Sequence, residues 1–270
     1  MSINSYNDGY SILSKDNKGE PFCKISPSQA ASFFTNTTMW YRETLLEEKR
    51  VIENQDSLIL GTIVHYFAEQ ASLKIKPDNP EQLVTEYLAE QKPENADEIL
   101  SLWKDMANEL IKGCILGQPK PLATELFMYH KLLPGIYVGG TTDAIIDLGN
   151  GAVSIRDYKT AATKPTGISY GYRLQAHIYA FLATKLGYNV DQIELQYVIR
   201  PTKTLPCRHF TFTEHFTKEN LDTITDQLQL MADSIDFWNK HPEHRYILAQ
   251  DFRLKDQPKK KPTFFKDALK

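Results

Sequence analysis

Chemistry is concentrated in one short stretch of the chain. Between Ala152 and Thr160 the odd positions read Val153, Ile155, Asp157 and Lys159. In a strand, side chains two apart share a face, about 6–7 Å from one another. An apolar face would thus run straight into a carboxylate and an ammonium. Such charges are costly to bury unless they are paired or hold a metal. Asp143 adds a second carboxylate one segment earlier, behind Gly139-Gly140-Thr141-Thr142, where the paired glycines leave room for a backbone or a ligand to come close. Glu125 adds a third, on the segment before that. For a lone Asp-x-Lys, a structural ion pair of Asp157 with Lys159 or Arg156 is sufficient. Three acids and a lysine on three successive strands can instead converge at one end of a sheet.

The elements that would position them can be read from local signals. Residues 122–133, 136–148 and 152–160 are rich in strand formers; Pro134-Gly135 and Gly149-Asn150-Gly151 supply the two turns. The spacing predicts a helix over 171–186 with Leu174, Ile178, Phe181 and Leu182 as its apolar stripe, then strands over 192–200 and 207–213 and a helix over 217–240. Upstream the pattern is helical. Ser26, Pro27 and Gln29 form a capping-box start. A helix over 57–74 holds Gly61, His65 and Glu69 at spacing four, Asn79-Pro80 repeats the capping logic, and 94–112 is stopped by Gly113. Residues 1–24 read as irregular. The order predicts an α/β or α+β core sheet with an N-terminal helical elaboration. It is read as a single domain over 1–270, divided into a helical part (25–121), a sheet core (122–213) and a C-terminal helix with a basic tail (214–270).

Composition narrows the function classes. The chain has 270 residues with 31 basic and 34 acidic side chains, so it is neither a polycation nor an acidic tail protein. Cys23, Cys114 and Cys207 are far apart, which excludes a disulfide framework or a four-cysteine cluster drawn from this chain alone and suits a cytoplasmic setting. MSINSYNDGY lacks the layout of a signal peptide, and no apolar run is long enough for a membrane span. Charge is polarised: residues 41–100 carry 6 basic and 13 acidic side chains, whereas 156–208 carry 8 basic and 3 acidic. The second bias is what phosphate contact requires. Lys259-Lys260-Lys261 is a further basic run.

Taken together, these residues resemble the PD-(D/E)XK nuclease signature, and within it the RecB-type and phage-exonuclease branch. Gly140–Asp143 matches the G-x-x-D element and Asp157-Tyr158-Lys159-Thr160 the D-x-K-T element. Gly61–His65 matches an upstream G-x-x-x-H helix and Gln175–Tyr179 a downstream Q-x-x-x-Y helix, preceded by Tyr172 and Arg173. Ile25-Ser26-Pro27-Ser28 resembles the S-x-S opening of the branch. Thr142 stands where the family name has proline, and the four-cysteine iron–sulfur cluster of some relatives is absent.

The resemblance implies an α/β fold with a restriction-endonuclease-like core, a mixed central sheet flanked by helices whose catalytic part is 122–213, and metal-dependent hydrolysis of DNA phosphodiesters, by an exonuclease in recombination, repair or phage DNA processing. Asp143 and Asp157 would hold Mg²⁺ or Mn²⁺, with the Tyr158 backbone carbonyl and His65 completing the shell. Glu125 would serve a second ion or orient water. Lys159 would position the attacking water and stabilise charge, since two nearby carboxylates oppose a general-base role. Gln175 and Tyr179, one turn apart on one helix face, would contact the scissile phosphate or buttress Lys159. Arg173, Arg200 and Ser28 are candidate DNA contacts. DNA is the implied partner; a single-strand annealing protein, a helicase and a homo-oligomer are implied by analogy with phage relatives. Three alternatives stay open: an endonuclease of the same fold, a nuclease-fold module that binds DNA or a partner without cutting, and a different metal hydrolase using the same acids.

Overall fold

The computed structural model describes residue 3 and residues 9–44, 55–118 and 120–244. The Lys259-Lys260-Lys261 run lies outside the described residues. A six-stranded mixed sheet is formed by β1 (Cys23–Ile25), β2 (Ala123–Leu133), β3 (Ile136–Gly149), β4 (Ala152–Ala161), β5 (Asn189–Ile199) and β6 (Arg208–His215). The helices are α1 (Tyr10–Asp16), α2 (Pro27–Thr35), α3 (Thr37–Thr44), α4 (Gln55–Ser72), α5 (Pro80–Gln91), α6 (Ala96–Cys114), α7 (Tyr170–Lys185) and α8 (Lys218–Lys240).

Local chemistry accounts for most of these boundaries. Ser26 Oγ accepts from the Gln29 amide at 3.1 Å and Gln29 Oε1 accepts from the Ser26 amide at 2.9 Å, so the capping box is complete, with Pro27 opening α2. The β3–β4 turn has positive φ at Asn150 (52°) and Gly151 (77°), the pair of left-handed residues that a tight hairpin turn needs. Three expectations differ. Gly113 does not stop α6, which runs through it to Cys114. Asn79 has φ 47° and its side chain caps nothing, so α5 relies on Pro80 at its start. Residues 10–16 are helical and 23–25 form a strand rather than irregular chain. The three-residue β1 exists through its parallel pairing to Ile136–Val138, a partner more than a hundred residues away.

The sheet separates two apolar layers. On one face Ile145, Ile155, Ile193 and Leu195 pack with α2, α7 and α8 through Phe33, Ile178, Phe181, Leu228 and Trp238. On the other, Tyr158 and Val198 pack with α4 and α6 through Leu60, Val64, Trp103 and Leu110. β4 and β5 are parallel, with α7 between them in the chain; the other pairs of the core are antiparallel except β1 with β3.

Strand β3 determines where the sheet opens. β2 pairs along it from Ile136 to Ile145, so β1 (at 136–138) and β4 (at 144–149) must share its other edge. The β3–β4 ladder stops at the rung Ala144↔Arg156. From there β4 continues on β5 alone, as far as Ala161↔Ile199. The two strands therefore fork, and the first residue past the last rung on each is an aspartate: Asp143 on β3 and Asp157 on β4.

Candidate active site

The fork is where both helical layers reach the sheet. Asp143 Oδ2 accepts from the Tyr158 amide at 2.5 Å, taking a strand amide that the ladder no longer uses. In an extended strand one residue's N–H and C=O point to the same edge. The Tyr158 carbonyl therefore faces the same opening as the amide that binds Asp143. From the α4 face, His65 Nδ1 lies 3.5 Å from Asp143 Oδ1, and its ring meets the Tyr158 ring edge-on at 5.8 Å. From the α7 face, Gln175 Oε1 accepts from Lys159 Nζ at 3.3 Å. Lys159 Nζ itself stands 2.6 Å from Asp157 Oδ2.

Two glycines let the helices come this close. A Cβ on Gly61 would lie 3.2 Å from Thr160 Oγ1, so α4 crosses β4 directly over the D-x-K-T stretch and delivers His65 one turn later. A Cβ on Gly140 would lie 2.6 Å from Pro27 Cδ and 3.3 Å from the Tyr179 ring. The close approach expected at the paired glycines is thus made by the start of α2 and by Tyr179.

Glu125 completes the set. It lies between the rungs Thr124↔Ala144 and Leu126↔Thr142, level with Asp143 on the neighbouring strand. Its φ of 46° is uncommon for a side-chain-bearing residue and interrupts the rung there. Glu69, one turn beyond His65 on α4, also feels the charge of Asp143. Its spacing from His65 was visible in the sequence, but nothing local tied it to the strands.

Electrostatics bind these groups into one unit. Burial, then the charges of Asp143, Glu69 and Asp157, push the Glu125 carboxyl up to about 9. Burial raises Glu69 and Asp157 as well, the latter against the pull of Lys159. Asp143 goes the other way: burial disfavours its charge, but His65, the Tyr158 amide and Lys159 together hold it below the usual carboxylate range. Burial alone would lower Lys159, yet Asp157 and Asp143 hold it above its ordinary value. His65 is likewise raised, because Asp143 outweighs its burial. Burial, with Asp157 and Asp143 next, raises the Tyr179 phenol, which stays protonated.

Of the candidate DNA contacts, the two arginines have partners within the chain and Ser28 is open to solvent. Ser28 is exposed near the start of α2, 3.0 Å from Ser26 Oγ. Arg173 is held by Glu214 through Nε at 2.8 Å and Nη2 at 2.6 Å. Arg200 donates to Ser57 Oγ at 2.6 Å and lies 3.8 Å from Glu98. Arg156 is buried against Glu194, with Nη2 2.7 Å from Oε2. Three of the eight basic residues of 156–208 thus have partners within the chain: Arg156 has Glu194, Arg173 has Glu214, and Arg200 has Ser57 with Glu98 nearby.

The sequence model of the PD-(D/E)XK nuclease superfamily matches residues 24–255. The chain belongs to this superfamily. Among solved structures, this PD-(D/E)XK chain is similar to a "putative exonuclease" from Eubacterium rectale, with 18% identity, a TM-score of 0.48, and 87% of this chain and 85% of that one covered. It is also similar to the protein SSO0001, with 16% identity, a TM-score of 0.34, and 66% and 87% covered. No curated protein matches the sequence.

Members of the superfamily typically use a divalent metal, and the donor chemistry here fits one. Glu69, Glu125, Asp143 and Asp157 offer hard oxygen ligands; burial and then the charge of Asp143 raise the proton affinity of the other three, with one lysine and one histidine to offset the cluster. Among the described residues no three such side chains already converge as ligands. Asp143 leans instead on His65 and the Tyr158 amide, and Asp157 on Lys159. Also among the described residues, no helix is long and apolar enough to cross a membrane.

Proposed function

We propose that this chain is a divalent-metal-dependent deoxyribonuclease whose catalytic centre is the β3–β4 fork. The observation that carries the reading is that Asp143 and Asp157 are the first residues past the last rung, with Lys159 ion-paired at 2.6 Å beside them. Asp143, Asp157, Glu125, His65 and the Tyr158 carbonyl would hold one or two Mg²⁺ or Mn²⁺ ions. Bound there, such a cation supplies polarisation of the phosphoryl oxygen and a lowered pKa for a coordinated water.

The chain's own groups have separable tasks. Lys159 is held protonated between two carboxylates, so it donates hydrogen bonds rather than taking a proton. It orients the attacking water and stabilises negative charge developing on the phosphoryl oxygens. Gln175 fixes the ammonium through its 3.3 Å contact. Tyr179 keeps its proton and is a donor toward the phosphate. Arg173 and Arg200 must leave their present partners before they can meet DNA, whereas Ser28 is already exposed.

Exonuclease action in recombination, repair or phage DNA processing is the finer reading. It is supported by the order of the sequence elements shared with the RecB-type and phage branch. The test is parallel digestion of end-labelled linear duplex, single strand and closed circular DNA with Mg²⁺ or Mn²⁺. Progressive loss of linear ends with intact circles is expected. Cutting of the circle would make the enzyme an endonuclease.

A further inference from the structure

We propose that Tyr172 is a stacking platform for an unpaired base next to the scissile phosphate, and that the substrate enters the fork as a single strand or a frayed end. The inference rests on the nuclease reading of the fork and adds a substrate class to it.

The platform follows from the order of residues along α7. Ser169 caps the helix and accepts from the Tyr172 amide at 3.3 Å, which fixes where Tyr172 leaves the backbone. Tyr172, Gln175 and Tyr179 fall at i, i+3 and i+7, on one helix face. Exposure rises along this stripe. Tyr179 is buried against the Gly140 backbone, Gln175 is half-buried on Lys159, and Tyr172 is 43% exposed. The stripe thus runs from the floor of the site to solvent and ends in an aromatic ring.

That ring is already oriented by its neighbours. Lys159 Nζ lies 4.8 Å from its centroid, and the buried Tyr197 ring meets it at 6.5 Å and 63°. These contacts engage the ring without burying the residue. An exposed tyrosine held this way loses little conformational freedom when a flat partner stacks on it. Tyr170, at 53% exposure, stands two residues away, and Lys164 Nζ lies 4.0 Å over the Phe210 ring. Aromatic rings interleaved with cations suit nucleobases and phosphates of a strand without sequence preference. Bases inside an intact duplex hide their faces in the stack, so away from a duplex end only an unpaired base can use the platform.

The contact to Lys159 gives Tyr172 a competing role, as a positioning residue for the lysine, and the experiment separates the two. Kd for a labelled single-stranded oligonucleotide, with Ca²⁺ replacing Mg²⁺, and kcat/KM for its cleavage with Mg²⁺ are measured. Strands with and without single abasic residues near each end are compared. In the wild type, one abasic position should weaken both quantities about 5- to 100-fold, the range that base–aromatic stacking supplies. Tyr172→Ala should lose a similar factor on the intact strand and nothing further on the abasic one, while Tyr172→Phe should behave as wild type. If Tyr172→Ala weakens both strands equally and the abasic difference survives, the ring serves only Lys159 and the proposal is overturned. A wild type that cuts without any abasic difference also overturns the platform and leaves the nuclease reading standing. A wild type that shows the abasic difference in Kd but never cuts upholds the platform and removes the hydrolytic reading.

Discussion

Removing the Glu194 carboxylate should destabilise the fork from behind, and the effect can be sized from its surroundings. Arg156 immediately precedes Asp157, and its side chain is 9% exposed, as is that of Glu194. Among the described residues the guanidinium has two acceptors: Glu194 Oε2, at 2.8 Å from Nε and 2.7 Å from Nη2, and the Cys114 carbonyl, at 2.7 Å from Nη1. Glu194→Ala leaves that cation buried with only the carbonyl. Breaking a buried pair by removing one partner costs about 3–5 kcal/mol. For a chain of this size that corresponds to a Tm lower by about 6–20 °C. Glu194→Gln keeps the shape and some hydrogen bonds, so it should cost less. The pH dependence has a definite sign. Burial would raise the Glu194 carboxyl, but Arg156 and the Gln196 amide outweigh it and hold it below its ordinary value of 4.5. A carboxylate depressed by folding contributes stability that is present above its unfolded value and lost as pH falls through its folded one. The gap between wild type and Glu194→Gln in urea unfolding should therefore be widest at neutral pH and close as pH falls below about 4.5. A Glu194→Ala loss under about 1 kcal/mol, or a gap unchanged at acid pH, would refute the assignment of this pair as an anchor of β4.

Three further outcomes are expected. Saturating Mn²⁺ at a hundred times its Kd should stabilise the wild type by about 2.7 kcal/mol, roughly 5–11 °C in Tm, and Asp143→Asn or Asp157→Asn should lose most of that shift in differential scanning fluorimetry. Gly61→Val should overfill the α4–β4 crossing by about 1–3 kcal/mol and reduce cleavage by moving His65, whereas Gly61→Ala should be nearly neutral in stability because better helix propensity offsets about 1 kcal/mol. Glu214→Gln should change stability by less than about 1 kcal/mol, since the pair with Arg173 is partly exposed, yet tighten DNA binding at low salt by releasing a cation; unchanged affinity would place Arg173 away from the DNA.

Where sequence and structure agree, the signals were local. Ser26 and Gln29 sit three apart and need only each other, and Asn150-Gly151 holds its own turn. The place of Asp157 followed from strand alternation, and that of Asp143 from the hairpin strand beside it. That they lie at a fork did not, because the fork depends on β1 and β4 sharing one edge of β3. Glu125 was found as a residue type, but its register opposite Asp143 and its left-handed backbone are products of the β2–β3 pairing. The partners of the arginines are long-range for the same reason. Arg156, Arg173 and Arg200 look like a basic surface in sequence, while Glu194, Glu214 and Ser57 reach them only after folding. Glu69 had the spacing but no local reason to be singled out over other helical glutamates.

The most direct test of the fork as a catalytic centre is cleavage of end-labelled linear DNA with Mg²⁺ or Mn²⁺ by the wild type, Asp143→Ala, Asp157→Ala and Lys159→Met, each checked for intact folding by circular dichroism. Metal-dependent cleavage by the wild type, and its loss by about a thousandfold or more in all three variants, is the predicted result. Undiminished cleavage in a folded Asp143→Ala or Lys159→Met variant would contradict the account.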